Sequence, residues 1–105
     1  MFGNLGDISS LMKKAMDMQK NLKSMQDEMA KYEAIGKSKD GKVEVLAGGD
    51  FKIKKIIINP SIAGETEIIT ELVTEAVNEA LDKVRTKARE ELSTATGGLN
   101  LPNIF

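Results

Sequence analysis

Two clusters of basic side chains, far apart in the sequence, are the groups best suited to chemistry, and that chemistry is phosphate binding. The clusters are Lys13, Lys14, Lys20 and Lys23, then Lys83, Arg85, Lys87 and Arg89. Lysine and arginine neutralise the phosphates of nucleic acids, and the resulting affinity falls steeply with salt. Taken singly, each cluster is more commonly a solvated helix face with weak local ion pairs. Convergence of the two clusters on folding would strengthen the case for nucleic-acid binding.

The chain has few residues suited to catalysis or metal binding. The chain has no histidine and no cysteine, so it lacks the commonest general base, the commonest metal ligand and any disulfide. Four glutamates recur at every fourth position: Glu67, Glu71, Glu75 and Glu79. We interpret this row as a solvated helix face rather than a metal site, and repulsion of polyanions from the body as its hypothetical purpose. We predict no enzymatic activity, no cofactor and no small-molecule substrate.

Charge and hydropathy favour a cytoplasmic protein. The formal net charge is −1, so any binding of nucleic acid must come from the distribution of charge rather than its sum. No apolar stretch approaches the length of a membrane span, and residues 1–6 lack the basic and apolar regions of a signal peptide. We expect a soluble protein that makes no contact with membranes.

A long helix over residues 7–34 is expected to carry the first basic cluster. Its apolar residues, spaced alternately by three and four, form one stripe: Ile8, Leu11, Ala15, Met18, Leu22, Met25, Met29 and Tyr32. At about 1.5 Å per residue the helix is roughly 40 Å long, so it must lie against another long element, project from the body, or do both. Residues 1–6 precede it as a flexible arm, and Gly36 is predicted to end it.

Over residues 35–60 the hydrophobic period changes to that of β-strands. Asp40-Gly41 and Gly48-Gly49 are two-residue turn signals that supply positive φ. They separate three predicted strands, near residues 34–39, 42–47 and 51–58. The third strand loses its alternation at Lys54-Lys55, which indicates a β-bulge or a change to two-sided burial. The predicted sheet is an antiparallel meander with two edges.

Two further groups of residues have a structural interpretation that we favour over a functional one. The lysines of the strands are interpreted as protection of exposed edges rather than a second phosphate-binding group: Lys37, Lys39, Lys42, Lys52, Lys54 and Lys55. The methionines of the first helix resemble an adaptable binding surface, but at helical spacing they are better explained as core filling: Met12, Met16, Met18, Met25 and Met29.

A second long helix is predicted over residues 65–96, and Gly97-Gly98 ends it. Its buried face is marked by Ile69, Leu72, Val73, Ala76, Val77, Ala80, Leu81, Val84, Ala88 and Leu92. The apolar tail, residues 97–105, either docks on the body or a partner, or hangs loose. Residues 1–105 are therefore predicted to form one α+β domain in the order helix, three-stranded antiparallel meander, helix (α-β-β-β-α).

This order of elements predicts where the charges lie. If both helices leave the sheet on the same side, the start of the first meets the end of the second at a distal tip. The two basic clusters then converge at that tip, while the acids of both helices collect near the sheet. Exposed strand edges and a one-sided sheet also favour a two-fold dimer through the sheet, which doubles the number of basic tips. Without a base-reading motif, contact with DNA should use the backbone and duplex shape.

Several segments together match a known pattern. They are Leu11-Met12-Lys13-Lys14-Ala15, Val43-Glu44-Val45, Lys54-Lys55-Ile56-Ile57-Ile58-Asn59-Pro60-Ser61-Ile62, Ala76-Val77-Asn78-Glu79-Ala80 and Gly97-Gly98-Leu99-Asn100-Leu101-Pro102. With these segments, essentially the whole chain resembles the YbaB/EbfC family of bacterial nucleoid-associated proteins. It departs from the family in having Asn59 where an acid is common, and in a short tail after Pro102.

The resemblance implies a homodimer of tweezer-like outline whose projecting helices grip double-stranded DNA with little demand on sequence. It also implies a location at the nucleoid, a change in DNA conformation and an influence on gene expression. The alternative function is a protein-binding scaffold or holdase, in which the long helical arms and the methionines clasp another protein.

Overall fold

A computed structural model of the chain describes residues 5–97, and it shows the predicted order of one helix, three strands and a second helix. The elements are α1 (Leu5–Lys31), β1 (Glu33–Lys37), β2 (Val43–Gly48), β3 (Ile53–Ile58), a single 3-10 turn (Pro60–Ile62) and α2 (Thr66–Ala95). The strands form one antiparallel sheet in the order β1-β2-β3. The α+β fold class is therefore confirmed. Most of the predicted N-terminal arm and of the apolar tail lies outside the described residues.

The first helix is shorter at its C-terminal end than the apolar stripe predicts. α1 ends at Lys31 rather than at residue 34, because the chain from Glu33 onward pairs with β2, starting opposite Gly48. Backbone pairing in the sheet thus overrides the helical spacing that places Tyr32 on the stripe.

Close approach to α2, rather than the end of a helix, explains Gly36. This glycine lies inside β1, where a Cβ atom would strike the backbone of Ala76 and Ala80 on α2. Both alanines are completely buried, so the strand rests directly on the helix backbone. The predicted role of Gly36 as a helix terminator is wrong.

Replacing Gly36 with alanine is expected to lower the free energy of unfolding by about 3 kcal/mol, because the new methyl group meets backbone atoms that cannot rotate away. The control is Gly48→Ala on the neighbouring strand, where the added methyl group meets only the ends of the Lys54 and Asp50 side chains. Urea denaturation of both variants measures the difference. Equal losses at the two positions would contradict this account of Gly36.

Helix α2 covers one face of β1 and β2, which we call the inner face. Val43, Val45 and Ala47 point into this face and are completely buried. The residues of α2 that share this core are small: Ala76, Ala80, Val84 and Ala88. Small side chains let the sheet lie close to the helix. The same close approach leaves no room for a Cβ atom at Gly36.

The turn between β2 and β3 differs from its sequence signal. The left-handed residue is Phe51, with φ of 64°, and neither Gly48 nor Gly49 has a positive φ. Gly49 is required for a different reason, since a Cβ atom there would strike the backbone of Met29 at the end of α1. The predicted β-bulge is confirmed, because Lys54 is skipped between two consecutive pairs of the β2–β3 ladder.

The two helices overlap over only part of their lengths. Met25 and Met29 of α1 and Ala88 of α2 line one small cavity, and the amide Nδ2 of Asn21 lies 3.4 Å from the carbonyl oxygen of Ala95. The end of α2 is therefore beside the middle of α1. Neither helix has the run of apolar residues that crossing a bilayer requires.

This overlap corrects the predicted meeting of the two helix ends at one tip. α2 spends most of its length beneath the sheet, and only its last turns accompany α1. Residues 5–20 of α1 continue about 24 Å beyond the end of α2. The described molecule is accordingly extended, measuring 71 × 22 × 15 Å. We call residues 5–20 the projecting part of α1.

Candidate nucleic-acid interface

Helix α1 carries an exposed set of lysines on and beside its projecting part. Lys13, Lys14, Lys20 and Lys23, which we call the α1 lysines, are all exposed. At about 100° per residue, Lys13, Lys20 and Lys23 fall within an arc of roughly 80°, on the side of the helix opposite the apolar stripe. They span about 15 Å along the helix axis. Within residues 8–97 none of the α1 lysines forms an ion pair.

Few carboxylates accompany these lysines. Residues 8–24 contain the four α1 lysines and one acid, Asp17. By contrast, residues 65–82, which begin with Glu65 and continue into the half of α2 beneath the sheet, contain only acids among their charged residues. A nearly neutral chain is thus positive along the projecting helix and negative beside the sheet. The α1 lysines are tens of ångströms from the acids of residues 65–82, so those acids do little to repel a polyanion, because charges beyond a Debye length are largely screened. Glu28 and Glu91 are nearer and lie beside Asn21 and Ser24.

The basic residues of α2 are placed differently, and most are already engaged. The Nζ atom of Lys83 donates to the carbonyl oxygen of Ile35 at 2.7 Å. Arg85 pairs with Asp82 at 2.9 Å. Lys83 therefore lies against β1, Arg85 follows it two residues later on the same helix, and the structure brings neither to the α1 lysines.

Lys87 and Arg89 lie nearer to α1 but differ in their contacts. Lys87 pairs with Glu91 at 3.0 Å, an interaction that raises the pKa of Lys87, and its Nζ atom lies 5.6 Å from the centre of the Tyr32 ring. Arg89 is exposed and makes no ion pair among residues 8–97. Of the α2 cluster, Arg89 is thus the residue best placed to add to the α1 lysines.

Three side chains of α2 bind the outer edge of β1. Glu75 Oε1 accepts from the backbone N–H of Lys39 at 2.8 Å, and Glu79 Oε1 accepts from that of Lys37 at 3.1 Å. Lys83 continues the series through its bond to Ile35 O. We call Glu75, Glu79 and Lys83 the edge cap. It blocks the backbone groups with which a further strand would pair.

The edge cap changes the interpretation of the glutamate row. Four residues of helix rise about 6 Å, and two residues of strand rise about 6.7 Å, so every fourth helical side chain can meet every second strand residue. Glu75 and Glu79 therefore serve the sheet rather than forming part of a merely solvated face. The spacing alone could not reveal this, because a solvated row has the same period.

Replacing Glu79 with glutamine is expected to reduce the acid sensitivity of the protein. The backbone N–H of Lys37 and the Lys83 ammonium hold the pKa of Glu79 below its ordinary value of 4.5. A carboxylate with a lowered pKa stabilises the fold fully above 4.5, and this stabilisation is lost as the pH falls through the lower, folded-state value. The measurement is the fall in Tm between about pH 6 and about pH 3.

That fall should be smaller for Glu79→Gln than for the parent protein. Glu71→Gln is the control, since Glu71 belongs to the same row but makes no such bond within residues 8–97. An equal change in the two variants would show that the edge cap contributes nothing to the pH dependence.

The opposite edge of the sheet is open and apolar. Ile53, Ile56 and Ile58 of β3 pair with or lie beside the buried residues of β2 and so share the inner face, but they remain 37–43% exposed. α2 does not reach far enough to cover them. We call these three residues the open face of β3. Among residues 8–97 no helix side chain binds the outward backbone of β3 as the edge cap does for β1.

Comparison with known proteins adds to this geometry. A family model described as the YbaB/EbfC DNA-binding family matches residues 4–99. A nucleoid-associated protein from Xylella fastidiosa strain 9a5c is 40% identical over 100 residues, which cover 95% of this chain and 94% of that protein. A nucleoid-associated protein from Xanthomonas campestris pv. campestris strain B100 is 37% identical over 97 residues, covering 92% of each.

One solved structure shows the same fold at low sequence identity. An uncharacterized protein from Helicobacter pylori superimposes with a TM-score of 0.62 at 21% identity, covering 73% of this chain and 90% of that one. At this identity the likeness concerns the fold alone.

Proposed function

Because the chain belongs to the YbaB/EbfC DNA-binding family, we propose that it is a nucleoid-associated homodimer that binds duplex DNA through the projecting part of α1. The observation that carries the proposal is the set of α1 lysines. They are exposed, make no ion pair within residues 8–97 and share residues 8–24 with a single acid. When such a surface binds DNA, its ammonium groups displace the counterions condensed on the DNA phosphates, and this release favours binding.

The chemistry of this surface favours contact with the DNA backbone over reading of bases. Residues 8–24 contain no aromatic residue to stack on bases and no arginine for bidentate contact with guanine. The lysine ammonium group is a compact point charge that binds phosphate oxygens without distinguishing one base from another. We therefore propose recognition by backbone and duplex shape, with little preference for sequence, in the cytoplasm at the nucleoid.

We propose that the dimer forms through the sheet at β3. The edge cap blocks β1, whereas no helix side chain among residues 8–97 blocks the edge of β3, which also has an open face of isoleucines. A two-fold interface places the same surface of both chains together and hides this apolar area from water. Two projecting helices held at a fixed separation then bind one DNA molecule with greater avidity than either alone. The same geometry supports a change in DNA conformation, and through it an effect on gene expression.

A salt titration of duplex binding, with the mass in solution measured alongside, tests the proposal. If all eight α1 lysines of a dimer contact phosphates, the logarithm of the association constant falls against the logarithm of salt with a slope of roughly −7. Duplexes of unrelated sequence should give the same slope and similar affinity. A slope near zero, or a monomeric mass at micromolar concentration, would count against the proposal.

A second candidate function is supported by a different observation. Leu11, Met12 and Met16 on the projecting part of α1 are 62–66% exposed, which is unusual for large apolar side chains on one helix. Such a surface suits a holdase or protein-binding scaffold. Replacing Met12 and Met16 with serine would then abolish suppression of client aggregation while leaving DNA affinity unchanged. DNA binding remains our proposal, because the lysines outnumber the acids on the same helix.

A further inference from the structure

The start of α1 carries an exposed apolar surface that phosphate binding does not use. Within residues 8–20, five exposed apolar residues fall in one arc of about 140° around the helix, which we call the apolar arc: Ile8, Leu11, Met12, Ala15 and Met16. The four large side chains among them are 50–66% exposed. The arc also contains one polar residue, the uncharged Gln19, while Met18 lies just outside it and is half-buried. An exposed apolar surface of this size is typical of a binding site.

Lysines border the apolar arc on both sides. At about 100° per residue, Lys14 lies about 60° beyond one end of the arc, and Lys20 lies about 40° beyond the other end, with Lys13 next to it. All three are exposed and make no ion pair within residues 8–97. Asp17, the single acid of residues 8–20, lies almost opposite the centre of the arc. The helix therefore has an apolar face with two positive borders.

This order of groups is that of a helix lying in the surface of an anionic bilayer. In such a helix the apolar side chains enter the boundary between headgroups and acyl chains, and the lysines at the border extend to the lipid phosphates. Each lysine near the surface raises the association constant about fivefold. α2 ends beside Asn21, so it does not shield residues 8–20, a segment about 20 Å long.

A second copy of α1 fits this face less well. Two helices packed through the apolar arc would set the bordering lysines of one against those of the other, with Asp17 of each on the far side. A layer of anionic headgroups, in contrast, supplies negative charge along both borders of the arc. The charges of α1 thus favour a lipid surface over self-association.

We propose that residues 8–20 bind the surface of membranes rich in anionic phospholipid, with the apolar arc toward the acyl chains. The sequence predicted no contact with membranes because no stretch is long enough to span one, but a helix lying in the surface needs only one apolar face. Lys13 and Lys20 also belong to the α1 lysines, so lipid and DNA compete for the same helix. This competition rests on the proposed function, whereas binding to vesicles does not.

Sedimentation of the full chain with lipid vesicles, in the absence of DNA, tests the proposal. Vesicles of equal parts phosphatidylglycerol and phosphatidylcholine should bind the protein at least about tenfold more tightly than vesicles of phosphatidylcholine alone. Leu11→Ser with Met12→Ser should weaken binding to the anionic vesicles at least about tenfold, because two large apolar side chains no longer enter the bilayer. The control is Ile68→Ser, at a side chain that is 41% exposed beside the acids of α2, and it should change binding by less than about twofold.

A second variant keeps the apolar arc and removes its positive borders. Lys14→Gln with Lys20→Gln should weaken binding to the anionic vesicles at least about tenfold and leave binding to phosphatidylcholine unchanged. Equal binding of the parent protein to both kinds of vesicle, or undiminished binding by either double variant, would overturn the proposal. A lower mass in solution for Leu11→Ser with Met12→Ser would also overturn it, because the arc would then join two copies of the chain. A protein that fails to bind DNA could still bind the vesicles, and the reverse, so the two proposals can fail separately.

Discussion

Reversing the charge of Lys13 and Lys20 is expected to weaken duplex binding by about 4 × 10³-fold at 0.1 M salt. This variant removes four phosphate-binding ammonium groups from a dimer, and each group contributes roughly a factor of eight to the association constant at that salt concentration. The salt slope should fall from roughly −7 to about −4. Both lysines are exposed and make no ion pair within residues 8–97, so the fold should be unaffected. Fluorescence anisotropy over a range of salt measures affinity and slope together.

The matched control reverses the same number of charges elsewhere. Lys39 and Lys42 lie in the turn between β1 and β2, where the backbone N–H of Lys39 donates to Glu75 of the edge cap. That turn is about 30 Å from the end of α2, because Glu75 and Ala95 are twenty helical residues apart. Lys39→Glu with Lys42→Glu should change the affinity by less than about threefold, since charges at this distance are screened. An equal loss from both double variants would mean that net charge, not the projecting helix, determines binding.

Replacing Ile56 with glutamate is expected to convert the proposed dimer to a monomer at micromolar concentration. Ile56 is 43% exposed at the centre of the open face of β3, so the protomer tolerates the change. In the dimer, however, the carboxylate would be buried without a partner, at a cost of several kcal/mol. The dimer dissociation constant should rise at least about 10³-fold. Sedimentation equilibrium measures this directly, and DNA affinity should fall with the loss of the second arm.

Ile68→Glu is the control for this variant. Ile68 is 41% exposed, almost as much as Ile56, but it lies on α2 on the same side as Glu75 and Glu79. That side faces β1, at the opposite edge of the sheet from β3. Ile68→Glu should leave the mass unchanged. A dimer that persists in Ile56→Glu would place the interface elsewhere.

The order of elements could be predicted from the sequence because each signal is local. Three-and-four spacing marks the helices, and the broken alternation at Lys54-Lys55 marks the bulge that the ladder shows. Which elements pack against each other, in contrast, depends on residues far apart in the sequence. Helical spacing gives α2 a buried face but does not say whether α1 or the sheet lies against it. The predicted tip was wrong for this reason, since the sheet occupies the length of α2 that was assigned to α1.

The structural roles of several other residues could not be predicted from the sequence for a similar reason. Gly36 and Gly49 have the sequence signals of a helix end and a turn, yet both are glycine because another backbone lies against them. Glu79 has the spacing of a solvated row, and only the register of β1 reveals its partner. The exposure of the α1 lysines, in contrast, could be predicted from sequence, because an exposed helix needs no tertiary partner to place its side chains.

Amide chemical-shift mapping with a short duplex of arbitrary sequence is the most direct test of the central claim that the projecting part of α1 is the DNA-binding surface. We expect shifts in residues 8–24 and around Arg89, with β1, β3 and residues 66–80 of α2 unchanged. Shifts centred on Lys52, Lys54 and Lys55 with none in α1 would contradict the account, because they would place the DNA on the strand lysines instead.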